Sequence, residues 1–275
     1  MADLTIEGAG GVTLSGDDAG EGTPVVLLHG LTATRRYVVM GSRMLERGGH
    51  RVIAYDARGH GASGPAPSPD AYGYPDLLAD LLAVLDACDI DRAVLAGASM
   101  GGHTIVRAAI EHPERVAALA VVTPAYEPGQ ERDAGRLQRW DALAGGLRDG
   151  GVEGFVEAYG RPPVPEKWQE TVDRVIRQRL SAHEHPAAVA DALSAVPRSG
   201  AFSAWEDLAA IDVPAVIVAS RDDADPEHPY ATGERYAEAI PGARLVSEDP
   251  GSSPLAWQGG QLSRVIAELA DRAAV

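Results

Sequence analysis

The stretch Ala93-Val-Leu-Ala-Gly97-Ala-Ser-Met-Gly101-Gly102 decides the fold. Its first four residues are uninterruptedly apolar, as in a strand covered on both faces. From Met100 the text turns helical and continues so to Glu111. Between the two stands Gly-x-Ser-x-Gly, so strand, sharp turn and helix meet at Ser99. A serine on such a turn is held in a strained backbone conformation with its hydroxyl projecting. The flanking positions must be small, because strand and helix approach closely around it. Behind the serine, the helix N-terminus places amides and partial positive charge where an oxyanion would form. An ordinary glycine turn is the simpler alternative, and the strand–turn–helix setting argues against it.

Outward from this motif, short apolar runs alternate with helix-period segments, the signature of a parallel sheet. Strands are predicted at Val25–His29, Val52–Asp56, Ala93–Ala96, Ala117–Val122, Ala215–Ala219 and Arg244–Val246. Helices are predicted at Tyr37–Glu46, Tyr74–Ala87, Met100–Glu111, Tyr230–Ala239 and Trp257–Ala270. The first two dozen residues alternate weakly (Leu4, Ile6, then Val12, Leu14) and fit a hairpin with glycine-rich turns. After Val122 the alternation stops, and from about Pro124 to Trp205 the text is helical and polar. Leu137, Trp140, Leu143 and Leu147 stand near helical spacing there. An inserted helical cap over 124–205, between core segments 1–123 and 206–275, is the expected organisation.

Composition narrows the function. The 275 residues carry a net charge of −16 spread along the chain, with 45% apolar content. So acidic a surface repels phosphate backbones and anionic lipids, which argues against nucleic acid and membrane as partners. Cys88 is the lone cysteine, so no intrachain disulfide forms. The opening MADLTIEGAG lacks the basic and apolar regions of a signal peptide. No apolar run approaches the length of a membrane span. A cytoplasmic location follows as an expectation, with a small-molecule substrate or ligand as partner and no cofactor or metal. Monomer and homodimer both stay open.

His29-Gly30-Leu31 ends the first core strand, and the glycine lets the Leu31 amide point back at Ser99. With the Met100 amide it would make a two-donor oxyanion hole. His29 itself reads as a structural residue closing the loop. Asp56-Ala-Arg-Gly-His-Gly-Ala-Ser63 reads as a hydrogen-bonded loop, with His60 structural. Together with Ile240-Pro-Gly-Ala243, these motifs make the chain resemble the α/β-hydrolase superfamily. The resemblance is nearest to its small bacterial esterases and its haloperoxidase-like and enol-lactonase-like members. It implies an eight-stranded, mostly parallel sheet flanked by helices, with a cap after the sixth strand. It also implies a catalytic order of serine, acid and histidine along the chain.

The acid implied by the resemblance falls in Ala219-Ser-Arg-Asp-Asp-Ala-Asp-Pro226. Counting from Pro214 favours Asp223, whereas counting back from Ile240-Pro-Gly favours Asp225, and Asp223 is preferred because the strand end fixes the position more directly. The base of such enzymes stands in Gly-His-x-Pro shortly before the last helix. Here the text is Gly251-Ser252-Ser253-Pro254, with Ser252 in the histidine's place, and no histidine follows His228. A serine hydroxyl is a poor nucleophile without a positioned base, and Ser252 is far too weak a base at neutral pH. His228 is therefore the candidate for a relocated base, with a bound water as the alternative. His103 falls one turn beyond Ser99 and reads as packing. His183 and His185, expected on a cap helix, would point apart and make no metal pair. His50 and His112 read as surface residues. Trp140, Trp168 and Phe155 fit pocket walls or core packing equally.

Three functions remain open on the sequence. The first is a serine-type hydrolase of a small neutral ester, lactone or amide with an atypical triad. The second is a ligand-binding protein that has lost turnover, as in the gibberellin receptors of the same superfamily. The third is a lyase or cyclase that uses the oxyanion hole without an acyl-enzyme.

Overall fold

The computed structural model describes residues 2–221, 225–249 and 257–273. Eight strands form one sheet in the order β1-β2-β4-β3-β5-β6-β7-β8. The N-terminal hairpin, β1 (Ala2–Glu7) and β2 (Thr13–Ala19), is antiparallel, and β2 pairs antiparallel with β4 (His50–Tyr55). From β4 through β3 (Thr23–Leu28), β5 (Ala93–Ala98), β6 (Val116–Val122) and β7 (Ala215–Val218) to β8 (Arg244–Val246), every pairing is parallel.

The central strands are apolar because both faces are covered, and their side chains alternate between two cores. Val26, Leu28, Leu119, Val121 and Ile217 join the core that includes Leu77, Leu81 and Ile105. Those last three belong to α2 (Tyr74–Ala87) and α3 (Met100–Glu111). Val25, Leu27, Ala118, Ala120, Val216 and Val218 join the opposite core, with Leu45 of α1 (Met44–Arg47) and Leu262 and Ile266 of α8 (Gly259–Ala270). A one-residue slip in any of these strands would exchange the two sets.

Between β6 and β7 lie α4 (Ala134–Tyr159), α5 (Glu166–Leu180) and α6 (Pro186–Ala195). α4 breaks at Gly151, whose φ of 61° and ψ of −146° are not helical. Leu143, Leu147, Phe155, Leu180, Val189 and Leu193 form a third apolar cluster within these helices. Trp140 packs against its edge. α7 (Tyr230–Ala239) then follows β7. Among the described residues, no helix is long and apolar enough to cross a membrane.

Three expectations are corrected. The segment predicted as a helix over Tyr37–Glu46 is a 3-10 turn at Arg35–Tyr37 and a single helical turn at Met44–Arg47. Met40 (φ 47°) and Gly41 (φ 72°) interrupt it in the left-handed region. His50 is not a surface residue: it opens β4 and is only 3% exposed, with Nε2 3.7 Å from Asp271. His183 and His185 do not sit on a helix but in the connection between α5 and α6.

Candidate active site

Parallel strands bring their C-terminal ends to one edge of the sheet, where the loops after β3, β5 and β7 meet. Ser99 stands at the end of β5 with φ 48° and ψ −114°, a conformation costly for a residue with a Cβ. Neighbouring backbone leaves no room for larger flanking residues. A Cβ on Gly97 would lie 2.4 Å from the Gly101 carbonyl carbon, and one on Gly101 would lie 2.2 Å from the Leu28 carbonyl oxygen. The turn is pinned on both sides. Ser99 N–H donates to the Val122 carbonyl at 2.9 Å, and Gly101 N–H donates to the His29 carbonyl at 3.0 Å.

The loop after β3 lies directly against the serine, since a Cβ on Gly30 would sit 3.3 Å from the Ser99 Cβ. Among the described residues, neither the Leu31 nor the Met100 amide donates a hydrogen bond. Two unspent amides beside a projecting hydroxyl are what an oxyanion requires. The Ser99 side chain is partly exposed and makes no hydrogen bond among the described residues.

Four histidines of the region act structurally. His29 Nε2 accepts from the Ala57 amide at 2.9 Å, while Nδ1–H donates to the Gly30 carbonyl. Burial, opposed by that last bond, lowers its pKa to about 3. His103 Nε2 accepts from the amides of Ala125 and Tyr126, so Nδ1–H donates to the Tyr74 hydroxyl at 2.8 Å. Burial lowers its pKa to about 3 as well. His60 Nδ1–H donates to the Arg58 carbonyl, and burial and its neighbours His29 and His183 hold the ring neutral. His183 accepts from the Gly61 amide at 2.8 Å and donates from Nε2 to the Thr32 carbonyl at 3.0 Å. It thereby ties the inserted helices to the loop that carries Leu31.

Asp223 and Ser252 lie outside the described residues. Asp225 is described, and its two carboxylate oxygens both lie 2.8 Å from His228 Nδ1. A carboxylate only accepts, so Nδ1–H donates in this contact, and Nε2 makes no hydrogen bond among the described residues. Crowding around Asp225 pushes its carboxyl up, but the charge and hydrogen bond of His228, helped by Arg179, outweigh this and lower it. No hydrogen bond joins His228 to Ser99. Glu227 of the same loop pairs with Arg139 of α4 at 2.6 Å.

Arg179 is a site residue the sequence did not reveal. It is the penultimate residue of α5, yet its Nη2 donates to the Leu31 carbonyl at 2.9 Å and the Thr32 hydroxyl at 3.0 Å. It is one of several arginines in a polar helix, and no local signal separates it from the rest. Trp140 and Phe155 join the apolar cluster of the inserted helices. Trp168 has a buried Nε1–H without an acceptor. No cluster of three or more metal-ligating side chains occurs among the described residues.

An eight-stranded sheet with a strained serine at the strand–helix elbow and a helical insertion after β6 defines an α/β-hydrolase fold. Residues 23–252 match the α/β hydrolase fold family, and the chain belongs to that family. The chain is 31% identical over 221 residues to RutD of Variovorax paradoxus (strain S110), for which carbamate hydrolysis is the proposed activity; the match covers 80% of each chain. It is 42% identical over 132 residues to a protein of Mycobacterium phage D29 proposed as a non-heme haloperoxidase. That match spans 48% of this chain and 46% of the phage protein. Among solved structures, the enol-lactonase from Burkholderia xenovorans LB400 superposes with a TM-score of 0.77 at 24% identity, covering 98% of this chain and 100% of the other.

Proposed function

We propose that the protein is a serine-type hydrolase of small esters, lactones or amides, with Ser99 as nucleophile and an Asp225–His228 pair as the base. The observation that carries this reading is the elbow. A positive-φ serine with two free amides beside it is costly to maintain and suits acyl transfer. Ser99 Oγ would attack the carbonyl carbon, the oxyanion would settle on the Leu31 and Met100 amides, and His228 Nε2 would take the hydroxyl proton. Asp225 would hold the imidazole in the required tautomer, as the acid of a triad does. Collapse of the tetrahedral intermediate would break the bond to the alcohol or amine, which would leave with the proton from His228 Nε2 and give an acyl-Ser99. Water activated by the regenerated imidazole would then release the acid and restore Ser99. Helices α4–α6 serve in this reading as the cap. The kinship to RutD and the other relatives supports a hydrolase.

The specific observation favouring a second reading, a ligand-binding protein without turnover, is that Ser99 and His228 are not hydrogen bonded. Catalytic bonds are often long in the absence of substrate and tighten on binding. Turnover of p-nitrophenyl acetate and p-nitrophenyl butyrate tests the choice. Hydrolysis that disappears in Ser99→Ala supports the enzyme. Absence of turnover in the native chain, with turnover appearing in Ser252→His, supports a binding protein on a hydrolase scaffold.

A further inference from the structure

Arg179 is the group at the site that the serine chemistry leaves unused. Its Nη2 is spent on Leu31 and Thr32, but its Nε–H is buried without an acceptor. Its Nη1 makes no hydrogen bond among the described residues. No carboxylate among them forms an ion pair with it. Asp225 acts on it only at longer range, and that carboxylate is engaged by His228. The lack of a contacting counter-ion among the described residues stands out on a chain whose net charge is −16. The guanidinium is part-buried, with its carbon 6.0 Å from the Tyr37 ring centre, and a ring face only partly replaces a counter-ion.

Positioning the oxyanion loop does not explain the charge. His183, a neutral ring, already holds that loop through the Thr32 carbonyl and the Gly61 amide. A neutral side-chain amide could also donate to the Leu31 carbonyl. What a neutral group cannot supply is attraction for an anion one residue from the oxyanion amide.

We propose that Arg179 recognises a carboxylate on the substrate, so that the preferred ligand is a small acidic ester, lactone or amide rather than a neutral one. Its carboxylate seats on the unspent Nη1 donors while its acyl carbonyl reaches the Leu31 and Met100 amides. This rests on the site assignment made under Proposed function and names its substrate class.

The test compares half-esters with their diesters: monoethyl malonate, succinate and glutarate against diethyl malonate, succinate and glutarate. The native protein should prefer at least one half-ester in kcat/KM. In Arg179→Gln the half-ester to diester ratio should fall roughly 10–100-fold, as for loss of a charge-assisted hydrogen bond. Arg179→Lys should keep most of the preference. Because the readout is a ratio, damage to the oxyanion loop cancels. A ratio that is unchanged while both rates fall would leave Arg179 a loop-positioning residue and overturn the proposal. So would a native preference for every diester, which needs no variant to observe. Calorimetric binding of the same half-esters to Ser99→Ala separates this proposal from the hydrolase reading. Arg179-dependent binding without native turnover would retain the anion site and discard the hydrolase. Native hydrolysis with half-esters bound no better than diesters would do the reverse.

Discussion

Ser99 is fixed by many independent constraints, whereas Asp225 and His228 are fixed chiefly by each other. The serine sits at positive φ between two glycines that admit no Cβ, and hydrogen bonds from both sides pin its turn. The proposed acid–base pair, Asp225 and His228, is a local contact three residues apart in a connecting loop. The Asp225 side chain keeps 41% of its surface exposed and the His228 side chain 21%. The elbow is therefore part of the fold, while the proposed base is an addition to it. A change to the glycines of the elbow should cost stability as well as rate, and a change at the base should cost rate alone.

The largest effect expected is on turnover in Ser99→Ala, a loss of roughly 10⁴–10⁶-fold in kcat with an unchanged melting temperature. Continued turnover in that variant would remove the elbow from the chemistry. Next is His228→Ala, with kcat lower by about 10²–10⁴-fold, the usual worth of a general base. Its stability should change by less than about 1 kcal/mol, because the pair it belongs to is partly exposed. If both rate and stability fall heavily, the contrast between the two regions is wrong.

Gly101→Ala tests the other side, since the added Cβ would lie 2.2 Å from the Leu28 carbonyl oxygen. A destabilisation of about 3 kcal/mol is expected in urea titrations. The pH dependence of stability is set by the buried histidines. His29 and His103 have pKa values lowered from 6.5 to about 3, so between those limits the unfolded chain binds protons that the folded chain refuses. Their contribution to stability is complete above 6.5 and is lost as pH falls towards 3. Each refused proton costs about 1.4 kcal/mol per pH unit within that window. Thermal melts from pH 7.5 to pH 4.5 should therefore show a falling midpoint.

The elbow was legible in the sequence because its constraints are local. α2, α3, α7 and β8 begin and end at the residues expected, since apolar periodicity, Pro75 at the start of α2 and the glycines around Ser99 act over a few positions. The failures have the opposite character. Apolar spacing across Tyr37–Glu46 suggested a helix, but Met40 and Gly41 adopt positive φ and end it. His50 looked exposed because burial depends on what packs over the strand's first residue, which its neighbours in sequence do not reveal. Arg179 reaches Leu31 across 148 residues of chain, so nothing near it announces the contact. For the acid, the two counts gave Asp223 and Asp225. The pairing with His228 favours Asp225 as the orienting residue, while Asp223 and Ser252 lie outside the described residues.

The account stands on Ser99 being activated by His228, and labelling with a fluorophosphonate probe reads that directly. Mass spectrometry of the labelled protein should place the adduct on Ser99, at a rate about 10²-fold or more lower in His228→Ala. An unlabelled Ser99 in the native chain, or equal rates in the two proteins, would contradict it.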